Sequence, residues 1–428
     1  MECFDRFGSY FDHGHFQHDD HGRYFVNDKS CLMFDLSSVN VISSTVDTVR
    51  QLYRLMLDQS VLHGLHESYQ LALKSFQKIH VHGYDFSVGS GGQSGYKYRL
   101  QNSDLGVIVF IKNQRQKIDV FGSHIKVELS PQFLLYNSVA DAQCLMDAIA
   151  VWFGDAVERS GVSLHLAADV QGWEPDDFLG RLKARSTRRV AYDGIDTAEF
   201  DLASVAATYG DRETVTVGSV TSVQMSFYDK LKEAVKHDKL HFWNAVWSGD
   251  AVPVDSFCMA DQGGFDKSEG VRRLEMRFHH TVLRQFERGS GCEMTSYESA
   301  FEHLGALWRY AMRLFKLRYD DDLIDPVWQM LAEDVDFNQC HSGKSYKRAY
   351  KKPGEGNEKN VALALGNWLS IVARQGMKTQ KAWRYLKVSG MFKDIKRYYQ
   401  SRGIDLQGLY QLIDDGLTKR RLAGRAAA

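Results

Sequence analysis

The sequence predicts an α+β protein: an antiparallel-sheet core followed by an all-helical C-terminal domain. Three observations lead there. Short runs with period-two alternation, separated by glycine turns, recur between residues 43 and 290. The strands outnumber the helices that could link them, which argues against a doubly wound parallel sheet. From about residue 291 the apolar spacing is helical throughout.

The elements follow in order. Residues 1–42 read as an irregular N-terminal segment. His13, His15, His18 and His21 lie there without fixed ligand spacing, so a polar surface loop is expected rather than a metal site. Residues 43–290 form the α+β domain. Helices are predicted over Val46–Asp58 and Leu62–Gln77. Strands are predicted in KIHVHGYDFSV, GYKYRLQ, LGVIVFIK, KIDVFG and HIKVELS. A helix over Val139–Glu158 precedes the strand VSLHLAADV. A helical stretch around 197–208 leads to the strands TVTVG and SVQMSFYDK. A helix over 231–246 and the strand VRRLEMRFHH close the domain. Residues 291–428 form the helical, basic domain, with helices at 294–318, 325–334, 358–375, 378–400 and 404–422. The boundary is placed in ERGSGCEM at 287–294.

Composition narrows the function classes. The 428 residues are 44% hydrophobic and 25% charged, enough for a large core in a globular protein. Lys plus Arg number 53 and Asp plus Glu 54, which excludes a disordered polyelectrolyte and a uniformly basic nucleic-acid packer. No apolar run approaches the roughly 18–20 residues of a membrane helix. The N-terminus MECFDRFGSYFDHGHF lacks the basic start and apolar block of a signal peptide. Six cysteines at 3, 31, 144, 258, 292 and 340 form no CxxC pair, so a reducing cytoplasm is the expected compartment.

Charge is uneven. Residues 377–428 carry 12 Lys/Arg and 4 Asp/Glu, a net of +8, leaving −9 for the remainder. Upstream, Lys344, Lys347, Arg348, Lys351 and Lys352 interleave with Tyr346 and Tyr350 in a Gly- and Pro-punctuated loop. A basic block on a mildly acidic body suits phosphate-backbone contact. These residues, with Lys378, Lys381 and Arg384, are the candidate DNA contacts. KTQKAWRYLKVSG followed by MFKDIKRYYQSRG has a helix–turn–helix flavour.

Strand alternation places the candidate chemistry. In SVQMSFYDK, Val223, Met225 and Phe227 share one face; Gln224, Ser226, Tyr228 and Lys230 share the other. A tyrosine and a lysine thus leave a strand end together, where an ammonium would favour the phenolate. In VRRLEMRF, Arg273, Glu275 and Arg277 oppose an apolar face; the glutamate is either an ion-paired surface residue or a metal ligand beside phosphate-binding arginines. In VSLHLAADV, His165, Ala167 and Asp169 share a face, with small Ala167 leaving room for an ion such as Mn²⁺ or Mg²⁺. His80-Val81-His82 is a competing histidine–hydrophobe–histidine metal pair of the kind that names the HUH nucleases.

The order of these motifs resembles the replication initiation factor (Rep-trans) family of rolling-circle plasmids and filamentous phages, with a feel closest to the phage initiators. The resemblance rests on GYKYRL (95–100), HIKVELSPQFL (124–134), LHLAADVQG (164–172), TVTVGS (214–219), FYDK (227–230) and VRRLEMRF (271–278), and spans roughly 80–280. It implies an HUH-like nuclease core with an acidic metal site, and site-specific nicking and rejoining of origin DNA through a 5′-phosphotyrosine. By position it implies Tyr228 as nucleophile, Lys230 and Arg273 stabilising charge, and His165, Asp169 and Glu275 holding Mg²⁺ or Mn²⁺. His165 stands where the family pattern has aspartate, Thr216 where it has tyrosine, and Ser226 where it often has arginine. The expected partners are origin DNA, duplex and single-stranded, and a host helicase; a homodimer stays open and no membrane is expected. Two alternatives remain at this level: a conjugative or mobilisation relaxase with the same chemistry, and a DNA-binding regulator on a decayed nuclease fold.

Overall fold

The computed structural model describes residues 14–20, 22–114, 116–184, 190–191, 205–209, 214–251, 264–320, 323–335, 337, 348–349, 358–401 and 404–426. They fall into two compact units, Met1–Ala349 and Tyr350–Ala428.

The first unit opens with β1 (Gly14–Asp19), β2 (Gly22–Asn27) and β3 (Met33–Asp35), a three-stranded antiparallel sheet in place of the expected irregular segment. Phe16 and Phe25 pack edge-to-face across it, and Phe34 continues the apolar stripe. Then comes β4 (Asn40–Leu57), where a helix over Val46–Asp58 was expected. Asp58 ends that strand and caps α1 (Gln59–Ala72), its carboxylate accepting from the Ser60 and Val61 amides. The expected KIHVHGYDFSV strand divides at the His82–Gly83 turn into β5 (Lys78–Val81) and β6 (Tyr84–Ser90), and β7 (Tyr96–Asn102), β8 (Val107–Asn113) and β9 (Gly122–Leu129) follow in the expected order. KIDVFG forms no strand of its own; only its last residue, Gly122, enters β9.

Helices α2 (Pro131–Tyr136) and α3 (Val139–Trp152) lead into β10 (Gly154–Gln171), so the expected Val139–Glu158 helix stops at residue 152 and its end is strand. Next come α4 (Phe178–Arg181), β11 (Leu182–Ala184), β12 (Val190–Ala191), β13 (Val205–Tyr209), β14 (Thr214–Gly218) and β15 (Val223–Asp229). Of the stretch expected to be helical at 197–208, residues 205–208 are strand and the rest lies outside the described residues. Helices α5 (Lys230–Lys236) and α6 (Leu240–Trp247) precede β16 (Arg272–Phe278). The unit closes with α7 (His280–Ser290), α8 (Tyr297–Phe301), α9 (Leu304–Leu314), β17 (Phe315–Leu317) and α10 (Pro326–Asp334).

Twelve strands form one sheet in the order β12-β13-β14-β15-β16-β10-β4-β9-β8-β7-β6-β5. Apart from the short β12–β13 pair, every ladder in it is antiparallel. One face is apolar: Leu164, Leu166, Leu274, Met276, Phe278, Met225 and Phe227 pack into a core with Leu307, Trp308 and Trp328. Phe178 stacks on Phe227 at 4.2 Å and lies 6.3 Å from Trp328, tying the late helices to the sheet. Helices α7–α10 therefore belong to the first unit, and the boundary falls at 349/350 rather than at 290/291.

The second unit holds α11 (Glu358–Arg374), α12 (Thr379–Val388), α13 (Phe392–Gln400) and α14 (Leu406–Ala426) around a separate core that includes Leu365, Leu369, Leu386, Ile395 and Ile413. No described helix is long and apolar enough to cross a membrane.

Candidate metal centre

The polar face of the sheet gathers side chains from four adjacent strands. In the β10–β16 ladder, Asp169 lies opposite Arg273, Ala167 opposite Glu275 and His165 opposite Arg277. On the other side of β16, Tyr228 lies opposite Arg273 and Ser226 opposite Glu275. Alternation thus places the three predicted triplets on one face. Small Ala167 and Ser226 flank Glu275 and leave its carboxylate room.

A fourth strand contributes a residue that the sequence reading missed. His165 pairs with Thr48 on β4 and Leu166 pairs with Val46, so Asp47 is the extra residue of a β-bulge. Bulges re-aim side chains. Here Asp47, His165 and Glu275 each present a ligand atom, all within 4.8 Å of one another. Two carboxylates and one imidazole, dominated by oxygen, suit a hard divalent cation such as Mn²⁺ or Mg²⁺.

Asp169, expected as a ligand, does not join this cluster. It is fully buried, and its oxygens accept from Arg273 Nε at 2.6 Å, Arg273 Nη2 at 2.7 Å, Trp247 Nε1 at 2.8 Å and Ser43 Oγ at 3.0 Å. Burial alone would raise its pKa; the Arg273 charge and the bonds from Arg273 and Trp247 outweigh burial and hold it below the usual carboxylate range. It lies outside the group formed by the ligand atoms of Asp47, His165 and Glu275. Arg273, expected to stabilise a phosphoryl group, is fully buried as well and reaches Asp47 Oδ1 with Nη1 at 2.5 Å. It bridges the buried Asp169 to the candidate ligand Asp47, so it orients the site instead of facing a substrate.

Glu275 is 2% exposed and heavily engaged. Arg277 donates to both its oxygens at 2.8 and 2.9 Å, and His165 Nδ1 lies 2.9 Å from Oε1. Burial pushes this carboxyl upward, but the bonds from His165 and Arg277 prevail and keep it well below its ordinary value. His165 Nε2 sits 3.3 Å from Arg50 Nη1, which fits a ring that accepts there and donates through Nδ1 to Glu275. Arg50 is itself held by Glu128 at 2.8 Å.

The Tyr228 hydroxyl donates to Glu275 Oε2 at 3.3 Å, so the predicted tyrosine stands directly beside the cluster. Burial, then the Glu275 charge, raises its pKa well above the ordinary phenol value. Lys230 begins α5, is 4% exposed and pairs with Glu233 at 2.5 Å; its ammonium lies 4.5 Å from the Trp243 ring centroid. Burial, then the Arg273 charge, lowers its pKa. Arg273 packs on the same indole at 4.1 Å. Asp47, His165, Glu275, Tyr228, Lys230 and Arg277 all line one cleft of about 410 Å³.

The other candidates separate. His80 is on β5 and bonds Asp85 at 3.0 Å, while His82 sits in the following turn with φ +46°; neither is among the Asp47 cluster. Arg348, expected to contact DNA, instead bonds Gln285 at 2.7 and 2.9 Å and Tyr310 at 3.2 Å within the first unit. Lys344, Lys347, Lys351 and Lys352 lie outside the described residues. Lys378, Lys381 and Arg384 are exposed on the second unit.

These observations define an α+β protein whose large antiparallel sheet carries a carboxylate–imidazole cluster with a tyrosine at its edge. The chain belongs to a family found in a bacteriophage: it is 32% identical over 406 residues, 92% of this chain and 91% of its relative, to the uncharacterized protein ORF430 of Pseudomonas phage Pf1. No family model matches the sequence.

Proposed function

We propose that the protein is a metal-dependent, site-specific DNA nickase and strand-joining enzyme that initiates rolling-circle replication of a phage, on an HUH-like core of the replication initiation factor kind. The observation that carries this reading is the Tyr228 hydroxyl 3.3 Å from Glu275, at the edge of the Asp47–His165–Glu275 cluster and within one cleft. In this mechanism the Tyr228 phenol oxygen attacks a phosphodiester. A bond from Oη to phosphorus forms as the bond to the 3′ oxygen breaks, leaving a 3′ hydroxyl and a 5′-phosphotyrosine. The bond energy is conserved, so reversal rejoins strands without ATP. Glu275 Oε2 is the nearest acceptor for the phenol proton.

Asp47, His165 and Glu275 would hold the divalent cation, which when bound polarises the scissile phosphate and favours the phenolate. Arg277, at 34% side-chain exposure and on the cleft wall, takes the charge-stabilising role expected of Arg273. Lys230, paired with Glu233, lines the same wall and would assist Arg277 there. A nicking assay on supercoiled DNA carrying the phage origin, with Mn²⁺ or Mg²⁺, tests the proposal. Wild-type protein should give nicked circles and a protein–DNA adduct that survives denaturation. Tyr228→Phe should give neither; equal nicking by Tyr228→Phe would refute the nucleophile assignment.

A further inference from the structure

The second unit carries a surface that the cleft chemistry does not use. Residues 350–428 hold 16 Lys/Arg against 6 Asp/Glu. Within them, α11 and α12 are joined by four residues, 375–378, with Gly376 at φ +66°. That left-handed conformation favours glycine and ends α11, where the Gly376 amide bonds Ala373 O. A short glycine turn between two helices is the connection of a helix–turn–helix. The turn is fixed from both sides: Arg421 donates to Met377 O, and Thr379 Oγ1 donates to Asp414 at 2.5 Å.

Helix α12 then divides cleanly. Ala382 and Leu386 are fully buried in the unit's core. Gln380, Lys381, Arg384, Tyr385, Lys387 and Val388 are exposed. With 3.6 residues per turn these six fall in one arc of roughly 160°. The arc has three cations, an amide, a tyrosine 59% exposed and a valine 83% exposed. No carboxylate occurs anywhere on α12. By contrast, α13 carries Asp394, paired with Arg397 at 3.9 Å, so its exposed face is mixed.

We propose that α11 and α12 form a helix–turn–helix that lays α12 in the major groove of duplex DNA. This differs from the α12–α13 reading drawn from the sequence in placing the turn before α12, and it rests on the reading that the chain acts on DNA. Lys381, Arg384 and Lys387 supply phosphate and base-edge donors, Gln380 an amide able to pair with an adenine edge, and Val388 an apolar contact for a thymine methyl. A convex cationic helix fits a groove; a single strand would call for a cleft with stacking platforms.

The test uses the full chain without divalent cation, so that binding is read independently of nicking. Fluorescence anisotropy compares a mixed-sequence duplex with a single strand of equal length over a salt series, and selection from random duplexes reads sequence preference. The Lys381→Glu/Arg384→Glu variant should weaken duplex binding at least about tenfold and flatten the slope of log affinity against log salt by about 2. The single strand should be affected less. Gln380→Ala should leave the salt slope unchanged and relax the selected sequence. Because the residues are exposed, the melting curve should not move; Arg384→Gln, a milder change, should give an intermediate loss. Unchanged duplex affinity in the double variant, or equal loss on both DNA forms, would overturn the proposal. Failure to nick with duplex binding through α12 intact would overturn the nickase reading alone.

Discussion

Replacing Asp47 and Asp169 separately by asparagine distinguishes the ligand from its scaffold. Asp169 and Arg273 are both fully buried and joined by two bonds of 2.6 and 2.7 Å. Asparagine keeps the shape but removes the charge, and turns an amide donor toward the guanidinium. Breaking a buried ion pair at one partner costs about 3–5 kcal/mol, because the other charge stays buried and uncompensated. Asp169→Asn should therefore lower the stability measured by urea unfolding by about that amount. Asp47 is 16% exposed at its side chain, and Arg273 keeps both Asp169 bonds when Asp47 is neutralised. Asp47→Asn should cost only about 1 kcal/mol. Metal affinity should order the other way. Loss of an outer partner typically weakens a metal site about 10–100-fold, so loss of a ligand should reach at least the top of that range. Mn²⁺ titration followed by calorimetry or electron paramagnetic resonance reads this directly. If Asp47→Asn binds Mn²⁺ like wild type, while Asp169→Asn loses the ion at undiminished stability, the ligand set proposed here is wrong.

Two further outcomes follow from the same geometry. Ala167→Leu places a larger side chain beside Glu275 at a position 1% exposed, and should cost about 1–3 kcal/mol by overpacking while weakening Mn²⁺ binding; unfolding and titration of one preparation check both. His280 should make the protein acid-sensitive. Burial, followed by the His279 and Arg284 charges, lowers its folded pKa to about 4. The unfolded imidazole takes its proton near 6.5, so between those values the unfolded chain binds more protons and stability falls as pH falls. Above 6.5 the group contributes no slope. At 1.36 kcal/mol per unit, reduced for partial exposure, wild type should lose about 2 kcal/mol more than His280→Gln between pH 6.5 and 4 in urea unfolding. Equal losses would remove His280 from the account.

The parts of the centre legible in the sequence are those on strands of regular pleat. Residues 224, 226 and 228 alternate, as do 273, 275 and 277, and 165, 167 and 169; counting by two places each triplet on one face, and the ladders align them. Asp47 was invisible for the reason that makes it a candidate ligand. The β4–β10 ladder shifts register four times, twice where β4 carries the extra residue and twice where β10 does. Each shift breaks period-two alternation, and the resulting spacing of Val46, Val49 and Tyr53, all buried, imitates a helical stripe. The same irregularity carried the predicted Val139–Glu158 helix into β10, where Ala156 sits at φ +54°. Asp169 failed in the opposite way. Its face was read correctly, but alternation cannot say whether a carboxylate on that face meets solvent or a guanidinium. Only the pairing of Asp169 with Arg273 across the ladder, and Trp247 arriving from α6, decide that it is an anchor. What separates the two carboxylates is therefore place rather than freedom from arginine: Arg273 bonds both, but the bulge sets a ligand atom of Asp47 within 4.8 Å of those of His165 and Glu275, whereas Asp169 stays outside that group.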